Sequence, residues 1–116
     1  MAMGQGLTFM LYETRIYEAT PGKLGALNRR FADHTHALFL KHGFYVIGYW
    51  TEIIGDSNKL CYMLGWDDLN QRSEKFAAFG ADPEWQKARE DSEKDGPLVA
   101  NIHNVIWNPT SYSPMQ

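Results

Sequence analysis

Residues 44–54 and Lys59–Trp66 are rich in aromatic and β-branched side chains, and only the turn-forming Gly55-Asp56-Ser57-Asn58 separates them. That pattern reads as an antiparallel hairpin. A hairpin at the middle of a chain of 116 residues leaves few choices for what surrounds it. Upstream, Thr20-Pro21 offers a helix start, with Thr20 as N-cap and Pro21 in the first turn, where its missing N–H costs nothing. Leu24, Leu27, Phe31 and Leu38 recur on one helical face, and Gly43 after His42 provides a left-handed stop. Residues 9–18 in front of this helix alternate as a strand does.

Downstream of the hairpin, Asp68 with Gln71 three residues later has the form of a capping box. It opens a second helix through Leu69, Phe76 and Phe79, which Gly80 is expected to interrupt and Asp82-Pro83-Glu84-Trp85 to restart. Residues 86–95 are strongly charged and read as a solvated face. Gly96-Pro97 ends the helical part, and residues 98–107 form the last strand. The tail, 108–116, with Pro109 and Pro114, is extended and lies against the surface or a neighbour.

The order β-α-β-β-α-β is that of the ferredoxin-like α+β fold. It predicts a four-stranded antiparallel sheet with the helices on one face. The other face is left bare, and aromatic strand residues must point there. Monomers rarely expose such a patch. A homodimer enclosing a two-sheet α+β barrel is therefore the expected assembly. Residues 1–8 read as a disordered leader and 9–116 as a single domain.

Composition narrows the partners. The net charge of -3 with no basic block argues against nucleic acid. No apolar run is long enough to span a bilayer, and the N-terminus has neither the basic start nor the apolar stretch of a signal peptide, so a cytoplasmic location and no membrane partner are expected. The single cysteine, Cys61, excludes an internal disulfide and any cysteine-based metal cage. Its apolar neighbours favour a core position over a reactive thiol.

Tyr12-Glu13-Thr14-Arg15-Ile16-Tyr17 followed by Pro21-Gly22-Lys23 resembles the opening of the NIPSNAP domain. Lys41-His42-Gly43, Gly48-Tyr49-Trp50-Thr51 and the 55–58 turn are similar to its middle. Asp68-Leu69 with Arg72, Asp82-Pro83-Glu84-Trp85 and the ending 109–114 complete it in order. The resemblance implies the dimeric α+β barrel superfamily, which also holds small monooxygenases, haem-degrading enzymes and lactone isomerases. It supports the fold far more than any one activity.

On the first strand, Glu13, Arg15 and Tyr17 share a face, because side chains alternate. Glu13 and Arg15 each expect a charged partner on a neighbouring strand. Two readings stand: a structural ion-pair network at the dimer interface, or Arg15 anchoring an anionic group while Glu13 orients it or moves a proton. On the second strand Gly48, Trp50 and Glu52 share a face, either as ordinary packing around a glycine bulge or as a pocket wall. Tyr62 and Trp66 share a face of the third strand and are candidates to close the same cavity. The candidate ligand-binding set is thus Glu13, Arg15, Tyr17, Trp50, Glu52, Tyr62 and Trp66.

His34 borders the apolar stripe of the first helix, His42 lies near its centre line, His36 points away, and His103 shares a strand face with Asn101, Val105 and Trp107. They form no metal-ligand spacing, so no metal and no cofactor are expected; a single-histidine haem contact is the alternative. Arg72, four residues after Asp68, is expected to form an intrahelical pair. The functional expectation is a homodimer that binds a small, partly apolar or anionic ligand in or beside the intersubunit barrel. The alternatives are a cofactor-independent monooxygenase or isomerase, with Glu13, Glu52 or His103 moving the proton and Arg15 as oxyanion partner, and a purely structural dimer.

Overall fold

The hairpin organises the sheet. In the computed structural model, which describes residues 10–116, β2 (Tyr45–Thr51) and β3 (Lys59–Trp66) pair antiparallel, joined by a turn in which Asp56 Oδ1 accepts the Asn58 N–H at 2.9 Å. The expected leader, 1–8, lies outside the described residues. β1 (Leu11–Ala19) pairs antiparallel with β3 on one side and with β4 (Val99–Trp107) on the other, giving the order β2-β3-β1-β4. This is the ferredoxin-like α+β topology.

The helices pack on one face, where Leu60, Tyr62, Leu64 and Trp66 of β3 meet Leu27, Phe31, Phe39, Phe44 and Phe79. Each fully buried side chain of this size contributes about 1.5–3 kcal/mol. Trp66 fills the centre, with its ring centroid 5.0 Å from Phe44 and 5.5 Å from Phe76.

The first helical segment departs from its sequence pattern twice. Thr20 does not cap it. Thr20-Pro21-Gly22-Lys23 instead closes a turn through a 2.8 Å bond from the Lys23 N–H to the Thr20 carbonyl, with Gly22 at φ 81. Proline at the second position and a left-handed glycine at the third define a type II turn, so α1 begins only at Leu24 (Leu24–Arg30). Between α1 and α2 (His36–Lys41) lies a π-helical turn, Phe31–Thr35, in which the His36 N–H reaches back five residues to Phe31. Thr35 Oγ1 donates to the Arg30 carbonyl at 3.4 Å. The inserted residue rotates everything after it, bringing His36, which a regular helix turns away from the stripe, within 2.8 Å of the Tyr49 hydroxyl on β2.

α3 (Leu69–Ala81) starts as its sequence predicts: Asp68 Oδ1 accepts the Gln71 N–H at 2.7 Å. Gly80 does not interrupt it. A helical glycine weakens a helix by about 1 kcal/mol without breaking it, and the break comes at Asp82. Asp82 caps α4 (Pro83–Ser92) through the Glu84 N–H at 2.9 Å. Its other oxygen takes Lys41 at 2.9 Å and His42 at 2.7 Å, tying the end of α2 to the start of α4. The tail returns to the sheet, where the Tyr12 hydroxyl donates to the Gln116 carbonyl at 2.6 Å.

Candidate functional site

Strand register decides which candidate residues meet. Glu13, Arg15 and Tyr17 lie opposite Leu64, Tyr62 and Leu60, so their side chains point to the helix face, together with Tyr62 and Trp66. Trp50 lies opposite Cys61, and His103 opposite Ile16, so Trp50, Glu52 and His103 project from the helix-free face. The seven candidate residues therefore do not line one cavity. Five project toward the helices, Glu13, Tyr62 and Trp66 fully buried and Arg15 and Tyr17 partly so, and two stand on the other side of the sheet. Cys61 also faces the bare side, half-buried, with its thiol 4.0 Å from Glu52; burial and that carboxylate push it up from the ordinary thiol range.

The Glu13 carboxylate is fully buried and accepts five hydrogen bonds. Oε1 takes the Trp66 indole N–H at 3.0 Å and Arg72 Nε at 2.7 Å. Oε2 takes Arg72 Nη2, Arg15 Nη1 and Asn104 Nδ2, all at 2.9 Å. Burial pushes this carboxyl up, but the bonds from Arg72, Asn104 and Trp66 and the charge of Arg15 outweigh it and bring it down to about 2. Glu13 and Arg15 thus pair with each other, and the further charge comes from a helix rather than a neighbouring strand. Arg72 reaches across to Glu13 instead of pairing within its own helix. The register places this network on the helix-covered face of the sheet and not on the bare face.

Arg15 carries the network onward. Its Nε donates to Tyr62 Oη at 2.8 Å and its Nη2 to Tyr17 Oη at 3.2 Å, and the two phenols lie 2.8 Å apart. Burial works against the guanidinium charge, yet Tyr62, Tyr17 and Glu13 hold it protonated more firmly than an ordinary arginine. Its carbon sits 5.0 Å from the Phe76 ring centroid. With every nitrogen engaged, Arg15 positions the phenols and has no free edge for a ligand.

Tyr17 is where the network reaches open space. A cleft of about 650 Å³ lies between the helices and the β4 side of the sheet. Its walls include Phe31, Phe39, Phe76, Phe79 and Trp85, and its polar groups include Tyr17, Arg30, Arg89 and Glu93. Phe31 and Thr35, the two ends of the π-helical turn, both line it; such turns inside helices often mark functional sites. A smaller cavity of about 400 Å³ shares Phe31 and contains the His36–Tyr49 pair. Burial raises the Tyr49 phenol to about 12, so it keeps its proton, and the imidazole tautomer of His36 sets which of the two donates.

Arg30 is the functional candidate that sequence reading missed. It is only 6% exposed, donates from Nη1 to Ser92 at 3.2 Å and to Glu93 at 3.4 Å, and lies 5.2 Å from the Trp85 ring centroid. Burial lowers its guanidinium from the ordinary arginine range despite the compensating Glu93 carboxylate. The available signal was a charged residue three positions after Leu27, next to Phe31, inside the apolar stripe. Among the described residues no group of three or more His, Cys, Asp and Glu side chains is placed to hold a metal ion, and no helix is long and apolar enough to cross a membrane.

Comparison with known proteins agrees with the fold and with the residues quoted for the resemblance. The family model of the NIPSNAP domain matches residues 12–114. A NIPSNAP-like domain protein from Burkholderia xenovorans is 30% identical, with 93% of this chain and 91% of that chain covered and a TM-score of 0.81. A NIPSNAP family protein of unknown function from Agrobacterium tumefaciens is 27% identical, with 94% and 96% covered and a TM-score of 0.82. A candidate antibiotic biosynthesis monooxygenase from Nitrosomonas europaea, 13% identical over 97% of this chain and 99% of that one, shares the fold at a TM-score of 0.63. No curated protein matches the chain. By the span of the family match and the shared architecture, the chain belongs to the NIPSNAP family.

Proposed function

We propose that this NIPSNAP domain is a homodimeric small-molecule binder, in which each protomer holds a small, partly apolar molecule in the cleft between its own helices and sheet. The observation that carries this reading is the cleft itself. Its volume of about 650 Å³ falls within the size range of small-molecule sites. Its walls combine aromatic rings with a few convergent polar groups, the mixture that lets such a site bind by burial and select by hydrogen bonding. The site thus sits beside the expected intersubunit barrel rather than inside it.

Dimerisation is supported by the face that the helices leave bare. Trp50, Val105 and Trp107 are about half exposed there, and the bulk of the Trp50 ring lies over Gly48, where an added Cβ would stand 2.8 Å from it. A second copy laid against this face would remove three large apolar side chains from water.

Thermal melts against a panel of small aromatic and aliphatic compounds test the cleft. A ligand at about a hundred times its Kd stabilises the native state by about 2.7 kcal/mol. Trp85→Ala, which removes a wall, is expected to reduce that gain. A panel without any shift, or shifts indifferent to Trp85→Ala, defeats the cleft reading. Sedimentation at micromolar concentration is expected to show a dimer that Trp107→Glu converts to monomer; a monomeric wild type defeats that part.

A further inference from the structure

The hydrogen inventory of the cleft specifies what kind of polar group its occupant must carry. Tyr62 is completely buried, and its hydroxyl accepts from Arg15 Nε, a group that can only donate. Among the described residues the sole acceptor within reach of the Tyr62 proton is Tyr17 Oη, 2.8 Å away. Placing the proton anywhere else leaves a buried donor unmade, which costs about 1–3 kcal/mol. Burial and the neighbouring Tyr17 push the Tyr62 phenol well above its ordinary range against the pull of Arg15, so Tyr62 keeps that proton. Tyr17 Oη then accepts twice, from Tyr62 and from Arg15 Nη2. Both its lone pairs are taken. Its own O–H has no acceptor among the described residues, and Tyr17 lines the cleft.

Arg30 presents the second donor. Its Nη1 is engaged by Ser92 and Glu93, whereas Nε is buried without a partner and Nη2 makes no hydrogen bond among the described residues. Nε and Nη2 form the side-on edge of a guanidinium. Arg72 uses that same edge, at 2.7 and 2.9 Å, to hold the Glu13 carboxylate in this protein. In Arg30 that edge is only half open: Nε is sealed by the surrounding packing, and Nη2 is the donor left for an occupant, where a guanidinium N–H favours an anionic oxygen. The cleft carries two guanidinium groups, Arg30 and Arg89, against the single carboxylate Glu93. Arg89 is largely exposed and solvated, so the surplus of positive charge favours an anionic occupant chiefly through Arg30.

We infer that the occupant of this cleft is an aromatic or otherwise apolar carboxylate, whose carboxylate is read by Arg30 Nη2 and the outward O–H of Tyr17 while its apolar body lies among Phe31, Phe79 and Trp85. The inference rests on the cleft reading above and sharpens it: amines and other donor-only molecules are disfavoured, because Tyr17 and Arg30 offer no acceptor and the Glu93 carboxylate is already held by Arg30 and Arg89.

Calorimetric titration with naphthylacetate, naphthylacetamide and naphthylethylamine tests it, since the three share one ring system and differ in the head group. The acid is expected to bind about tenfold or more tighter than the amide, and the amide tighter than the amine. Arg30→Met is expected to erase the preference for acid over amide, and Arg30→Lys to restore part of it, because the positive charge returns on a shorter-reaching donor. Tyr17→Phe is expected to weaken the acid and the amide by about fivefold and to leave the amine unchanged. Equal affinity for all three compounds, with binding still lost in Trp85→Ala, overturns the head-group inference and leaves the cleft reading standing. Failure of all three to bind the wild type overturns both. The wild-type comparison of acid with amide decides the matter even where a variant does not fold.

Discussion

Replacing Glu13 with glutamine changes one atom of the buried network and removes its only negative charge. The carboxylate accepts five hydrogen bonds, two on Oε1 and three on Oε2. A glutamine can turn its carbonyl to the three-donor side and keep those contacts. Its NH2 group then faces the Trp66 indole N–H and the Arg72 Nε–H, donor against donor. The opposite flip strands Arg15, Asn104 and Arg72 Nη2 instead. Breaking a buried charge pair by removing one partner costs about 3–5 kcal/mol. The depression of the Glu13 carboxyl from 4.5 to about 2 gives a second route to the magnitude: it corresponds to roughly 3 kcal/mol of stability near neutral pH. Both are a large share of the ~5–15 kcal/mol typical of a domain.

Urea unfolding at about pH 7 and fixed protein concentration, followed by near- and far-ultraviolet circular dichroism, measures the loss. With a slope of about 2 kcal/mol/M, the midpoint is expected to fall by about 2 M with the slope unchanged. The pH dependence has a definite sign. A carboxyl whose folded pKa is depressed contributes stability that is present above its unfolded value and lost as pH falls through the folded value. The gap between wild type and Glu13→Gln should therefore be full above 4.5, narrow below it and close near 2. A loss under about 1 kcal/mol at neutral pH, the size of an exposed pair, or a gap that does not change with pH, would falsify the reading of Glu13 as the hub of a dry network.

Two glycines give opposite expectations from the backbone alone. Gly80 is helical with nothing within 4 Å of an added Cβ, so Gly80→Ala should stabilise by about 0.5–1 kcal/mol; Gly22 is equally unobstructed but sits at φ 81, so Gly22→Ala should destabilise by about 1 kcal/mol. Equal effects in urea melts would contradict the turn and helix assignments. Asp82→Ala should lower the melting temperature by several degrees and increase amide exchange at the start of α4, because Asp82 both caps that helix and receives Lys41 and His42; unchanged exchange there would show that the cap does not hold the helix.

Much of the architecture was legible from local chemistry. The 55–58 turn fixed the hairpin, Asp68 and Asp82 marked two helix starts, and the order of elements gave the ferredoxin-like sheet, because caps, turns and period-two alternation are local properties of the chain. The same alternation put Glu13, Arg15 and Tyr17 on one face, Trp50 and Glu52 on one, and Tyr62 and Trp66 on one. Its limit is that a two-residue period says which side chains agree and nothing about which side the helices take.

Only the tertiary structure decided that side. Packing of α3 over β1 and β3 placed Arg72 beside Glu13, a contact across 59 positions that no spacing announces. It left Trp50, Glu52 and His103 on the far face. The π-helical turn, which rotates His36 toward Tyr49, has no breaker residue to betray it, and Arg30 became a site candidate only when the cleft beside it was seen. The sequence by itself determined the elements, their order and the family signature, because those depend on neighbours along the chain. The closed Glu13 network and the open donors of Tyr17 and Arg30 depend on which groups packing leaves unpartnered, and that is a property of the assembled fold.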